Sequence, residues 1–227
     1  MMNKKNNFLK AAALACVALL SFQSCLEDDG YSLNKSWISI ATVNPLKGRS
    51  YDLTLDDGKT LWPAASDFPG YKPKKDQRAL VNYTILSDST SGYSHYIKVN
   101  AIEDILTKAV AKDLGLAAND SVYGTDKLRI KDAWIGDGFL NVVFLYNIGG
   151  TVKHFVNLIP DTKAGAGAYD FEFRHNAYDD PESRGAEGIV AFNLDSLPDT
   201  EGKTVKMNIR YNSFDGEKTT TLDFQTK

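Results

Sequence analysis

The chain has 227 residues, with 26 Lys and Arg against 29 Asp and Glu, a net charge of −3 and two cysteines. The acidic balance argues against wholesale nucleic-acid binding, which needs a basic face to displace counterions. Two cysteines cannot build a disulfide-stapled scaffold, so a hydrophobic core has to carry the fold.

The chain opens with Lys4, Lys5 and Lys10, followed by an apolar run from Ala11 to Leu20. That run is well short of the ~20 residues a membrane-spanning helix needs. A basic start, a short apolar stretch and small residues before a cut make a secretory signal peptide. Ser24-Cys25 stands where a lipoprotein signal peptidase cuts, although Phe22 and Gln23 occupy positions where leucine and a small residue are commoner. Residues 1–24 are therefore read as a lipoprotein signal peptide, with an ordinary secretory leader and a chance cysteine as the alternative. Cys16 is lost with the leader, so Cys25 remains without an internal partner, and acylation accounts for it. A diacylglyceryl cysteine anchors firmly, because two acyl chains hold where one is marginal. Glu27, Asp28 and Asp29 follow within the tether 25–36. This cluster resembles the surface-export signal of Bacteroidetes lipoproteins, which implies the outer face of the outer membrane. A merely solvated acidic tether is the competing reading. Without residues 1–24 the chain keeps 203 residues, with 23 basic against 29 acidic side chains and a net charge of −6.

From residue 37 onward the dominant period is two. "VKMNIRYN" sets Val205, Met207, Ile209 and Tyr211 against Lys206, Asn208, Arg210 and Asn212, the alternation of a strand with one wet face. "YDFEFRHN" repeats it with Phe171, Phe173 and His175 on one side. "RALVNYTILS" and "KLRIKDAWIG" are strand-like with mixed faces. Asp57-Gly58, Asp137-Gly138 and Asp215-Gly216 each read as two-residue hairpin turns, and Gly149-Gly150 as a fourth hairpin. Only "EDILTKAVAKDLGL" competes: Ile105, Leu106, Ala109, Val110 and Leu114 fall at helical spacing, with Gly115 as a stop. The small, polar stretch 116–126 marks a domain boundary. About five strands in residues 37–116 suit a small Greek-key barrel, and seven in residues 117–227 suit an antiparallel β-sandwich. The expected class is all-β.

Residues that would carry chemistry are sparse. His154 and His175 alternate with apolar residues, and the reading preferred for both is a hydrogen-bonded core histidine. No HExxH, CxxC or other metal-like spacing occurs. Ser94 and His95 are adjacent on a strand and point to opposite faces, so they make no nucleophile–base pair. "GAGAY" (165–169) lacks a dinucleotide-site context and reads as a flexible hairpin connection. The acidic stretch 178–188 reads as a turn rather than a calcium loop. The one basic cluster, Lys72, Lys74, Lys75 and Arg78, lies beside Trp62, Pro63, Phe68 and Tyr71. Aromatics next to cations can stack on sugars or bases, although a solvated loop whose aromatics cover the core is the blander account. The ligand-binding candidates are Trp62, Tyr71, Lys72, Lys74 and Lys75, with no catalytic residue, metal or cofactor expected.

"HFVNLI" (154–159), "FEFRHNAYDD" (171–180), "FNLDSL" (192–197) and "IRYNS" (209–213) resemble the NigD-like lipoproteins. "YTIL" (83–86), "IEDILTK" (102–108) and "DAWIG" (132–136) extend the resemblance into the first half. It implies an OB-type barrel followed by a β-sandwich, and no catalytic activity. Two functions follow as expectations. One is a surface-anchored, non-catalytic binding or accessory module, with extracellular glycan as its ligand. The other is a protein-interaction role in bacteriocin-associated immunity or secretion, with an envelope protein as partner.

Overall fold

The structure, a computed structural model, describes residues 32–89, 91–150, 152–163 and 165–226. Cys25, Glu27, Asp28, Asp29 and the leader lie outside them.

The first domain is a closed five-stranded barrel. Strands β1 (Trp37–Pro45), β2 (Tyr51–Leu55), β3 (Thr60–Ser66), β4 (Gln77–Ser87) and β5 (His95–Asp104) close in the order β1-β2-β3-β5-β4. Only β3 and β5 pair in parallel. Closure removes the unpaired edges that an open sheet of this size would expose. Alternation fills the interior with Ala41, Val43, Leu53, Leu61, Ala79, Val81, Ile97 and Val99, each fully buried. The mixed faces of β4 and β5 have a local cause. The pairing jumps from Asn82↔Ala101 to Tyr83↔Val99, and this bulge lets Val99 and Ile102 both point inward despite their odd spacing.

The second domain is a sandwich of two four-stranded sheets. β6 (Leu106–Ala109), α1 (Leu116–Tyr123), β7 (Arg129–Gly136), β8 (Phe139–Ile148), β9 (Phe155–Pro160), β10 (Asp170–Asn176), β11 (Arg184–Asn193), β12 (Val205–Ser213) and β13 (Gly216–Phe224) supply its elements. The sheets run β13-β12-β10-β9 and β6-β11-β8-β7. Between them lie Leu140, Val142, Phe144, Phe171, Phe173, Val190, Phe192, Met207 and Ile209. Phe173 meets both Phe144 and Phe192 edge-on, at centroid distances of 5.5 and 5.9 Å. All seven strands expected after residue 126 form. Two pairs, β10/β12 and β6/β11, are parallel. The first arises because β11 crosses to the opposite sheet, so β12 returns in the direction of β10.

Three local expectations are overturned. Residues 103–116 are not a helix: β6 pairs with β11 instead, and Ile105 is buried while Leu106 and Leu114 are exposed. The Thr107 hydroxyl donates to the Ile105 carbonyl and accepts from the Arg78 amide and Gln77 Nε2. These bonds hold the segment extended against its helical spacing. The helix forms in the stretch read as a linker, where buried Asn119 ties back to the Leu114 amide and to Asp113.

Gly149-Gly150 is not a hairpin. It carries the chain from β8 in one sheet to β9 in the other. Of the three Asp-Gly pairs, only Asp137-Gly138 has both residues at positive φ, +49° and +82°. At 57–58 only the glycine does. At the last turn the central residues are Phe214 and Asp215, since Ser213 pairs with Gly216.

Candidate functional site

The aromatic residues of the barrel converge. Trp62 on β3 and Tyr71 in the β3–β4 loop line one groove of about 250 Å³, with Tyr51, Phe68 and Arg49 completing its walls. The Tyr71 ring stands edge-on to Tyr51 at 5.3 Å, and its hydroxyl donates to Asp104 Oδ1 at 2.6 Å. Burial, followed by that bond to an anion, holds the Tyr71 phenol well above the ordinary tyrosine range. Burial alone would raise the Asp104 carboxyl, but hydrogen bonds from Lys74 and Tyr71 outweigh it and leave the group below the usual carboxylate range. Trp62 packs on Tyr93 at 5.2 Å, and the Tyr93 hydroxyl donates to Asp52. The groove therefore offers rigid aromatic faces with Arg49 as its charged group.

The basic cluster does not converge there. Lys74 is tied to Asp104 at 2.8 Å, Lys72 and Lys75 project into solvent, and none of the three lines the groove. Arg78 leaves the cluster altogether. It is fully buried at the junction of the two domains, donates to Thr42 and Asp56, and lies 5.2 Å over the Phe139 ring. The Trp134 indole donates to the other Asp56 oxygen at 2.7 Å. Ser94 is spent on structure, its hydroxyl accepting from the Thr60 amide.

Sequence reasoning missed how the two sandwich histidines meet. His175 Nδ1 faces the Lys127 carbonyl at 3.2 Å, so it carries a hydrogen, which leaves Nε2 as an acceptor. His154 Nδ1 lies 3.0 Å from that Nε2 and is the donor. His154 Nε2 lies 3.1 Å from Asp180 Oδ2, which also accepts from the Gly149 and Gly150 amides. Both nitrogens of His154 are thus engaged, one by His175 and one by Asp180. Hydrogen bonds, led by the Gly149 amide, hold Asp180 below the ordinary carboxylate range despite its burial. Burial lowers His175, and the adjacent His154 adds to this. The chain ends on a backbone carbonyl, an acceptor with no nucleophilic chemistry to offer. Its effect is to fasten the β8–β9 crossover to the loop after β10, where Tyr178 and Asp179 are both held at positive φ. The two glycines before His154 and the acid after "RHNAYD" are the signals that could have revealed it. Among the described residues, no group of three His, Cys, Asp or Glu side chains is placed to hold a metal.

A five-stranded OB barrel joined to an eight-stranded sandwich defines a class of two-domain β proteins, and comparison identifies the family. Residues 40–105 match the NigD-like N-terminal OB domain, and residues 110–224 match the NigD-like C-terminal beta sandwich domain. The chain belongs to the NigD-like family.

A solved structure from Parabacteroides distasonis ATCC 8503, named as toxin related, is 52% identical with a TM-score of 0.78. The match covers 84% of this chain and 94% of that one. A protein of unknown function from Bacteroides vulgatus ATCC 8482 is 27% identical with a TM-score of 0.68, over 85% and 92% of the two chains. A NigD-like immunity protein from Bacteroides caccae ATCC 43185 shares the fold at 20% identity and a TM-score of 0.62, over 87% and 95%. No curated protein matches the chain.

Proposed function

We propose that this chain is a non-catalytic accessory lipoprotein, anchored through Cys25 in the outer membrane and exposed at the cell surface, whose barrel groove binds extracellular glycan. The observation that carries the reading is the convergence of Trp62, Tyr71, Tyr51 and Phe68 on one open groove. Flat aromatic faces in a fixed array suit the apolar faces of sugar rings, and OB barrels commonly bind oligosaccharides. Glycan-array binding that disappears in Trp62→Ala and Tyr71→Ala supports it, whereas failure to bind any glycan sinks it. Protease treatment of intact cells tests the location. Shaving of the wild type, with protection of Glu27→Ala/Asp28→Ala/Asp29→Ala, marks the acidic cluster as an export signal.

The relatives favour a second reading. A 52% identical protein is named as toxin related, and a NigD-like protein of the same fold is named an immunity protein. On that reading the chain binds a protein partner in bacteriocin-associated immunity or secretion. Deletion then raises sensitivity to the toxin and a partner co-purifies. Unchanged sensitivity argues against it.

A further inference from the structure

The sandwich has a second cavity, independent of the barrel groove. About 290 Å³ in volume, it opens at the end of the sandwich where the Asp137-Gly138 turn, the segment after β11 and the end of β13 meet. Its volume is near the lower end of the roughly 300–1,000 Å³ typical of small-ligand sites. Ile135, Leu194, Leu197 and Phe224 supply apolar walls. Asp195 and Asp199 stand among them, and no Lys, Arg or His lines the cavity.

The walls are firmly built. The Leu194 amide donates to the Gly138 carbonyl at 3.0 Å and the Leu197 amide to Leu194. Thr200 and Thr226 exchange amide-to-hydroxyl bonds of 3.1 Å in both directions, and the Thr226 hydroxyl donates to Asp199 Oδ1 at 2.6 Å. Asn193 and Asp195 hold each other through two bonds, one from the Asn193 amide group to Asp195 Oδ2 and one from the Asp195 amide to Asn193 Oδ1.

An apolar chamber with two carboxylates and no internal cation is complementary to a cation on an apolar stem. Both carboxylates are exposed and accept from neutral donors, Asp195 from Asn193 and Asp199 from Thr226 and the Glu201 amide, so their negative charge favours a cation and repels an anion. Phe224 ends β13, which is an edge strand of its sheet. An extended segment laid along that edge would bring a side chain to the cavity.

We propose that this cavity receives a lysine or arginine side chain of a partner polypeptide, its aliphatic stem among Leu194, Leu197 and Phe224 and its charge between Asp195 and Asp199.

Calorimetric titration of the full chain at neutral pH tests this with a capped pentapeptide, Thr-Val-Lys-Val-Thr, and its norleucine counterpart, which keeps the stem and lacks the charge. The lysine peptide is expected to bind about tenfold more tightly, the scale of one hydrogen-bonded charge. Asp195→Asn should erase that preference while leaving the melting temperature unchanged, since Asp195 is exposed and not part of the core. Leu197→Trp, which fills the chamber, should abolish both interactions. Equal binding of the two peptides, or none, overturns the proposal. Binding of n-hexylamine as tight as that of the lysine peptide assigns the site to free amines and overturns the polypeptide partner.

Discussion

Asp56 shows how much one side chain decides here. It is partly exposed in the β2–β3 turn, yet it accepts from Arg78 on β4 with one oxygen and from Trp134 on β7 with the other. Arg78 is fully buried, and its guanidinium also donates to Thr42 and lies over the face of Phe139. Removing the carboxylate strands a buried guanidinium, which is far costlier than losing an exposed ion pair. Asp56→Ala is therefore expected to lower the unfolding free energy by about 3–5 kcal/mol, measured in guanidinium. Trp134→Phe, which keeps the packing and loses a single bond to a charged acceptor, should cost about 1.5–3 kcal/mol. Gly136 is part of the same arrangement, because any Cβ there would overlap the Asp56 carboxylate. "DAWIG" thus belongs to the junction as well as to strand β7, which its alternation alone could not reveal.

At the scale of elements, the β8–β9 crossover and the loop after β10 act as one unit through Asp180, His154 and His175. A Cβ at Gly149 would overlap the Pro181 carbonyl oxygen. Gly149→Ala should then destabilise by about 1–3 kcal/mol through overpacking, visible as a lower denaturation midpoint with an unchanged slope. The pH dependence has a definite sign. The folded-state value of His175 lies below its ordinary one, so its contribution is fully present above roughly pH 6.5 and is lost as pH falls through the folded value. Asp180 is also lowered, and its contribution is lost only at more acid pH, below the ordinary carboxylate range. The groups that set the His175 equilibrium are His154 beside it, Asp126 before β7 and Glu182 in the following loop. Unfolding free energy measured from pH 8 to pH 5 should decline in the wild type and stay flatter in His175→Gln. Amide exchange at residues 177–183 should accelerate over the same interval.

For the whole molecule, the junction couples the two domains. Ile105, Phe139 and Ala191 form a small core there, with Ile40 and Ile189 packed against it. The Trp134–Asp56 bond and the Arg78–Phe139 contact cross the same boundary. Barrel and sandwich are expected to unfold in a single calorimetric transition. In Asp56→Ala the transition should broaden or split in two, and an unchanged single peak would show that the apolar core alone suffices for coupling. This coupling also bears on function. The aromatic groove and the acidic-rimmed cavity sit on separate domains, so occupants of the two sites would be held at a fixed separation.

Composition and alternation determined the class. Period-two alternation along "VKMNIRYN" and "YDFEFRHN" pointed to strands with one apolar face, and those strands are where the residues placed them. Burial alternates in the first, whereas in the second the expected wet face is also buried, Glu172 pairing there with Arg174 and Arg210. The convergence of Trp62 and Tyr71 was foreshadowed by their closeness in sequence, although Trp62 lies on β3 and only Tyr71 in the loop after it. The companions Tyr51 and Arg49 were not, since they arrive from another strand and turn. Three outcomes belonged to tertiary structure alone. Residues 106–109 became a strand because β11 offered an open edge and Thr107 held the backbone extended. Gly149-Gly150 became a crossover because Asp180 binds both amides. Arg78, a surface cation by its neighbours in sequence, was buried because Asp56 holds it from the barrel's own β2–β3 turn and Phe139 covers it from across the junction. Alternation reports which face of a strand is dry. It carries no record of which distant strand supplies the partner, and hydrogen bonds and ion pairs between distant elements decided every position where the local pattern failed.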